Sequence, residues 1–145
     1  MKLTRHSDYA FRVLIYLTSH PGRVVSVSEL AKIYNISQNH LAKVAGELTS
    51  KGYTSVTRGR SGGLTLKRDP GTILLGEILR DFEPTLNLVE CFQSETDQCP
   101  ISPVCRLKGI LKTAQLDFIK VLDSYTVADI ALSESSLAEA TVRNP

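Results

Sequence analysis

The chain has 145 residues, 42% of them hydrophobic, and a net charge of +2, which fits one domain or one small domain with an extension. No apolar run approaches the roughly 18 residues of a membrane helix and no apolar signal core follows Met1, so we expect a cytoplasmic protein with reduced thiols. Residues 1–70 hold eleven Lys and Arg against four Asp and Glu, whereas residues 71–145 hold six against eleven, so the first half is the part suited to a polyanion.

Three helices are predicted in the first 50 residues, each preceded by a serine that can serve as its N-cap. The first shows an apolar stripe of helical period, and His20-Pro21-Gly22 ends it. A capping box at 26–29 opens the second. The predicted helices and caps are Asp8 to about Ser19 with Ser7, 27 to Ile33 or Tyr34 with Ser26, and Gln38 to about Ser50 with Ser37.

The second and third helices, with a tight turn at Asn35-Ile36, have the shape of a helix-turn-helix at about 26–51. Polar side chains near the start of the second helix of such a pair read base edges or phosphates. The alternative is an ordinary polar face turned to solvent. The candidate DNA contacts here are Ser28, Ser37, Gln38, Asn39, His40 and Lys43.

A glycine-rich hairpin at 53–67 follows, with strands at 53–57 and 64–66 and a turn at 58–63. Arg58, Arg60 and Ser61 lie at its tip and are candidate contacts to phosphates or a narrow minor groove. Read alone, this is a hairpin with a solvated end. Following a helix-turn-helix, it is typical of a wing, and the two elements together favour DNA binding.

A fourth helix is predicted from about Thr72 to Phe82, between Asp69-Pro70-Gly71 and Glu83-Pro84. Residues 1–83 are thus expected to form a winged helix-turn-helix domain. The expected fold class is mainly α with a small β wing, completed by a long dimerisation helix.

All three cysteines lie in a loop at 84–106, as Cys91, Cys99 and Cys105. Pro100 and Pro103 prevent an ordinary helix between the last two. Three thiols cannot all pair in one chain, whereas a soft metal centre can use all of them. The spacing suits an iron–sulfur cluster at least as well as zinc, with a fourth ligand from elsewhere. Buried, unreactive cysteines are the alternative.

A long helix follows Cys105 and runs without proline to about Asp123, within a segment assigned to dimerisation at 107–132. Its apolar stripe is longer than a chain of this size buries within itself, which favours pairing with a second copy over internal packing. From residue 133 a small, polar tail is expected to be flexible. The stripe consists of Leu107, Ile110, Leu111, Ala114, Phe118, Val121 and Leu122.

Several short motifs occur together across residues 1–132. They are Leu3-Thr-Arg-His-Ser-Asp-Tyr-Ala-Phe-Arg-Val-Leu14, Arg58-Gly-Arg-Ser-Gly-Gly-Leu64, Leu88-Val-Glu-Cys91, Cys99-Pro-Ile101, Cys105-Arg-Leu-Lys-Gly-Ile-Leu111 and Leu122-Asp-Ser-Tyr-Thr-Val-Ala-Asp129. With them the chain resembles the iron–sulfur winged-helix transcription regulators, and within that family it looks most like the nitric-oxide-sensing repressors.

The resemblance implies a homodimeric repressor that binds double-stranded operator DNA and holds one cluster per subunit, 4Fe–4S with 2Fe–2S as the alternative. It implies that nitric oxide reacts with the cluster and that operator affinity then falls. Another member uses a histidine ligand where this chain has Lys108. From the residues alone, the carboxylate at position 8 is a helix-start charge paired with Arg12. The implied ligands are Cys91, Cys99, Cys105 and, from the other subunit, Asp8.

Two other functions fit parts of the same pattern. A thiol-based regulator on this scaffold would switch through a disulfide between two of the cysteines. A non-DNA-binding iron–sulfur electron carrier would have an incidental basic half. No catalytic triad, phosphate loop or paired-carboxylate cleft is evident in the sequence, so we do not expect an enzyme.

Overall fold

The computed structural model describes residues 2–133, 135, 136 and 139, and these form a winged helix, a cysteine loop and one long helix. The expected fold class, mainly α with a small β wing, is confirmed. Within the described part no helix is both long and apolar enough to cross a bilayer. The elements are α1 Arg5–Ser19, α2 Val27–Tyr34, α3 Gln38–Ser50, β1 Thr54–Thr57, β2 Gly63–Leu66, α4 Leu75–Phe82 and α5 Arg106–Asp123.

Helix α1 is the central element of the core and packs against α3, α4 and β2. Its buried side chains recur at helical spacing, as Ala10, Val13, Leu14 and Leu17, and each is at most 2% exposed. Burying a Val or Leu side chain contributes about 1.5–3 kcal/mol. The apolar stripe predicted for this helix is thus the surface on which the other elements assemble.

The N-terminus of α1 differs from the prediction, which had Ser7 as N-cap. The helix begins at Arg5 and Thr4 is the cap, because Thr4 Oγ1 accepts the Ser7 amide at 3.2 Å. The Ser7 hydroxyl is fully buried and donates instead to the Glu83 carboxylate at 2.6 Å. Whether Thr4 or Ser7 caps the helix therefore depends on Glu83, which lies 76 residues after Ser7 in the chain.

The wing is an antiparallel pair in which Thr54 lies opposite Leu66 and Thr57 opposite Gly63. It is bound to the segment before α2 by two main-chain hydrogen bonds between Val25 and Leu64, of 3.0 and 2.7 Å. This close approach occurs beside Gly63, which has no side chain to separate the two backbones.

The fourth helix begins later than predicted, at Leu75 and not near Thr72. A 3-10 turn, Pro70–Thr72, precedes it. Ile73 and Leu74 are held extended because this part of the chain pairs with 125–127: the Leu75 amide donates to Tyr125 O and the Val127 amide to Ile73 O, both at 2.9 Å. The chain after α5 thus returns to the start of α4.

Helix α5 ends at Asp123, so residues 124–132 of the predicted dimerisation segment are not part of it: they form a turn, a single bridge from Thr126 to Leu74 and the 3-10 turn Ala128–Ile130. The predicted stripe divides into two faces. Leu111, Phe118 and Leu122 are half-buried, whereas Leu107, Ile110 and Val121 are 56–64% exposed. The flexible tail predicted from residue 133 falls largely outside the described residues.

We predict that Gly63→Ala destabilises the protein by about 1–3 kcal/mol, because the added Cβ would lie 2.5 Å from the Val25 carbonyl oxygen and 2.6 Å from its carbon. These are main-chain atoms that cannot rotate away. Urea unfolding followed by circular dichroism measures the effect.

The matched control is Gly46→Ala within α3, where an added Cβ meets nothing within 4 Å. This change should stabilise the protein by up to about 1 kcal/mol, since alanine favours a helix over glycine. Equal free energies of unfolding for the two variants would contradict the close approach of the wing.

Candidate functional site

The helix-turn-helix is fixed by its turn and by α1. Asn35 ends α2 in the left-handed conformation with φ of 50°, and the Ile36 amide donates to Ala31 O at 3.0 Å. The predicted cap forms, because Ser26 Oγ accepts the Glu29 amide at 3.1 Å. The Glu29 carboxylate does not complete the capping box. It accepts from Tyr16 of α1 and pairs with Arg23, which orients α2 on α1.

Helix α3 presents one polar face to solvent and one apolar face to the core. Leu41, Val44 and Leu48 are fully buried. Ser37 makes no side-chain cap, contrary to the prediction, and is free to face outward. The predicted contacts Ser37, Gln38, Asn39, His40 and Lys43 are all exposed, and Ser28 on α2 is half-buried.

The tip of the wing is exposed and positively charged. Arg58, Arg60 and Ser61 all face solvent, and Gly59 provides the positive φ of 115° that the turn needs. Within the described residues neither arginine forms an ion pair with a carboxylate. Their guanidinium groups therefore remain available to a ligand such as a phosphate.

The base of the wing is attached to α4 by a buried tyrosine. The Tyr53 hydroxyl donates to Asp81 at 2.6 Å, and Arg68 lies over the Tyr53 ring and pairs with Glu77 at 2.6 Å. Burial, with the Asp81 hydrogen bond, strongly raises the pKa of Tyr53, so this phenol stays protonated. The wing is thus held at its base and free at its tip.

The first turn of α1 places Asp8 in a different cleft from the one lined by Cys91 and Cys105. Asp8 is 43% exposed and pairs with Arg12 at 2.8 Å, as a helix-start carboxylate does. It lines a cleft with Arg5, Tyr9 and Tyr34. The role of Asp8 as a ligand from a second subunit stays a prediction.

Two contacts of this turn were missed by the sequence analysis. His6 Nε2 lies 2.6 Å from Glu47 Oε2 on α3, with its ring 5.7 Å from that of Phe82. Glu83 Oε2 accepts from the amide and hydroxyl of Thr4 and from the Ser7 hydroxyl. Neither has a local sequence signal, because both partners are distant in the chain.

The cysteine loop contains three free thiols, all half-buried. Cys91 lies in the 3-10 turn Glu90–Phe92, and Cys105 is the residue before α5. Both line one cleft of about 560 Å³, whereas Cys99 is not among its lining residues. Across the described residues, no group of three His, Cys, Asp or Glu side chains has an arrangement that could hold a metal ion. The convergence of all three thiols therefore stays a prediction.

The chemistry of the loop nevertheless fits a soft metal centre. Thiolates are the preferred ligands of iron–sulfur clusters, and none of the three is used in a disulfide. Lys108 and Lys112 line the same cleft as Cys91 and Cys105, and their ammonium groups can offset the negative charge of thiolates. Hydrogen bonds from Ser102 and the Cys99 amide, with Lys108 nearby, hold the pKa of Asp97 below its usual range, so this residue is also charged.

Comparison with known proteins gives the same architecture and a family. The chain is 44% identical over 138 residues to the "HTH-type transcriptional regulator NsrR" of Shouchella clausii, covering 94% of this chain and 93% of the relative. The protein of the same name from Bacillus subtilis is also 44% identical, with 94% of each chain covered. The solved structure of CymR, the global cysteine regulator of B. subtilis, superposes with a TM-score of 0.72 at 26% identity, over 90% of this chain and 96% of that one.

A family model described as "Iron-dependent Transcriptional regulator" matches residues 3–133. Together with relatives 44% identical over nearly the whole chain, this match confirms the resemblance and the expectation that the chain is not an enzyme. The chain belongs to the Rrf2 family of transcriptional regulators.

Proposed function

We propose that the chain is a homodimeric transcription repressor that senses nitric oxide through an iron–sulfur cluster and releases its operator in response. The observation that carries the proposal is the set of three free thiols in a loop directly connected to a winged helix. Two relatives named "HTH-type transcriptional regulator NsrR", each 44% identical to this chain, support it.

The DNA-binding surface in this proposal consists of the exposed start of α3 and the tip of the wing. Gln38 and Asn39 have amide side chains that can pair with a base edge, and His40 and Lys43 add donors to phosphates. Arg58 and Arg60 would follow the backbone or enter the minor groove beside it. Both elements are fixed to the same core, so one protomer would contact one half-site.

The dimer in this proposal forms through α5. Leu107, Ile110 and Val121 are 58%, 64% and 56% exposed and lie along one side of the helix. Large apolar side chains exposed in a row favour association, since water is displaced when they pack. Two copies related by a two-fold axis would bury the same stripe on each.

The cluster ligands in this proposal are Cys91, Cys99 and Cys105, with Asp8 from the other subunit. A cluster held there would supply iron atoms that bind nitric oxide. The carboxylate of Asp8 is a harder ligand than a thiolate and so the weaker partner for iron. His6, two residues before Asp8, contacts Glu47 of α3. A change in the coordination of Asp8 would therefore take place close to α3, the helix proposed to read the DNA.

The deciding experiment is anaerobic purification, with visible absorbance and native mass spectrometry before and after nitric oxide. The proposal expects a coloured dimer of cluster-bearing subunits whose mobility shift on genomic DNA weakens after nitric oxide. Colourless protein whose DNA binding follows a disulfide would identify the thiol regulator instead. A coloured protein without DNA binding would identify an electron carrier.

Single changes Cys91→Ala, Cys99→Ala and Cys105→Ala should each abolish iron and sulfide retention while leaving the circular dichroism spectrum unchanged. The reason is that the thiols lie outside the buried core and act as one ligand set. Ser94→Ala is the matched control, since Ser94 lines the same cleft without a soft donor. A cysteine variant that kept full iron and sulfide would not have lost a ligand.

Arg60→Ala should weaken binding to all DNA sequences alike and reduce the slope of log K against log salt by about one, as expected for one lost phosphate contact. Lys120→Ala, which removes the same charge from exposed α5, should leave the slope unchanged. Fluorescence anisotropy at several salt concentrations measures both. An unchanged slope for Arg60→Ala would place the wing off the phosphates.

Asp8→Ala should keep iron on the three thiols but bring the ratio of operator affinities with and without iron toward one. Arg12→Ala is the control, because it removes the ion pair and leaves the carboxylate. Anaerobic affinities at one salt concentration give the ratios. If Asp8→Ala kept the wild-type ratio, Asp8 would carry no signal, and His6 or solvent would be the better fourth ligand.

A further inference from the structure

Lys108 connects the cysteine loop to α5. It is the third residue of that helix, and its ammonium group reaches back over the loop. Lys108 Nζ donates to Ser102 Oγ at 2.7 Å and lies 3.7 Å from Asp97 Oδ2. The Ser102 residue is only 7% exposed, and the Asp97 side chain 13%, so both partners are largely shielded from water.

Both partners of Lys108 are hydrogen-bonded to the main chain of Cys99. The other carboxylate oxygen of Asp97 accepts the Cys99 amide at 3.0 Å. The Ser102 amide donates to the Cys99 carbonyl at 3.1 Å. The amide and the carbonyl of Cys99 are therefore both hydrogen-bonded, and the two partner residues, Asp97 and Ser102, both contact the ammonium group of Lys108.

We infer that Lys108 is a positioning residue, which through Asp97 and Ser102 fixes Cys99 relative to Cys105. The consequence of this role for metal binding rests on the proposed function. A loop that is ordered before the metal binds loses less conformational entropy when its thiols converge. Pro100 and Pro103 restrict the same segment. Lys108 thus contributes to the metal site without being a ligand.

Lys112 offers a matched comparison one helical turn further along α5. It has the same charge and lines the same cleft. Its ammonium group contacts the Phe92 ring at 5.1 Å and Gln115 at 2.9 Å, and neither contact involves residues 97–102. Removing Lys112 tests the effect of charge in the cleft, whereas removing Lys108 tests charge together with the connection to Cys99.

The experiment measures alkylation of each cysteine by iodoacetamide in the reduced, metal-free, full-length protein, with peptide mass spectrometry. Lys108→Met should raise the Cys99 rate about three- to tenfold, the range that one hydrogen bond contributes to a local opening equilibrium. Lys112→Met should leave that rate at the wild-type value. Ser102→Ala, which removes one acceptor of Lys108 together with the Ser102–Asp97 hydrogen bond and keeps all charges, should also raise it.

Rescue separates positioning from general destabilisation. Lys108→Arg keeps a cation with several donors and should restore the slow Cys99 rate, with the thermal midpoint of every variant recorded alongside. Equal Cys99 rates in Lys108→Met and wild type would overturn the inference. Equal increases in Lys108→Met and Lys112→Met would also overturn it, because the effect would then come from charge alone.

A second readout uses protein reconstituted with iron and sulfide under anaerobic conditions. Lys108→Met should lose iron to a chelator several-fold faster than wild type and show an altered visible circular dichroism spectrum, and Lys108→Arg should restore both. If wild type takes up no iron, the proposed function fails. The alkylation rates would still decide the role of Lys108 in ordering the loop.

Discussion

The carboxylate of Glu83 determines how the two halves of this protein are joined. One of its oxygens accepts three donors from the first turn of α1, the amide and hydroxyl of Thr4 and the hydroxyl of Ser7. A negative charge at this end of the helix also complements its dipole. Glu83 directly follows α4 as its C-cap, and the segment leading to the cysteine loop starts at the next residue. The beginning of the core helix and the beginning of the loop are therefore held at one point.

From this point the remaining elements follow by packing. Helix α1 carries the buried stripe that orients α3 and α4, and His6 adds a polar contact between its first turn and α3. The segment before α2 binds β2 through Val25 and Leu64, which gives the wing its direction. The exposed polar residues at the start of α3 and at the tip of the wing are thus positioned by the apolar and main-chain contacts of other residues in the same elements.

The elements that sequence reasoning located well are those with local causes. The Ser26 cap, the left-handed turn at Asn35 and the glycine-rich wing tip each depend on residues close by in the chain, and the structure has them where the sequence indicates. The long proline-free helix after Cys105 was found for the same reason.

The features that sequence reasoning misplaced depend on partners far along the chain. Thr4 replaces Ser7 as the cap because Glu83 engages Ser7. Helix α4 starts late because residues 125–127 hold Ile73 and Leu74 extended. In the cysteine loop, the count and type of donors could be read from the sequence. The contacts of Lys108 with Ser102 and Asp97 could not be predicted from the sequence, since they depend on how the loop folds back onto α5.

The pairing of the chain after α5 with the segment before α4 has a consequence for how two protomers could move. Helix α5 is secured to α4 by the Arg80–Asp123 pair and, immediately afterwards, by the main-chain pairing of 125–127 with 73–75. This leaves little freedom for the end of α5 to bend away from the winged helix. In a dimer assembled through α5, each protomer would turn as a single body. The separation of the two α3 helices would then change when each protomer tilts at the α5 contact about an axis other than the two-fold, and a few degrees at the contact would become a larger displacement at the DNA.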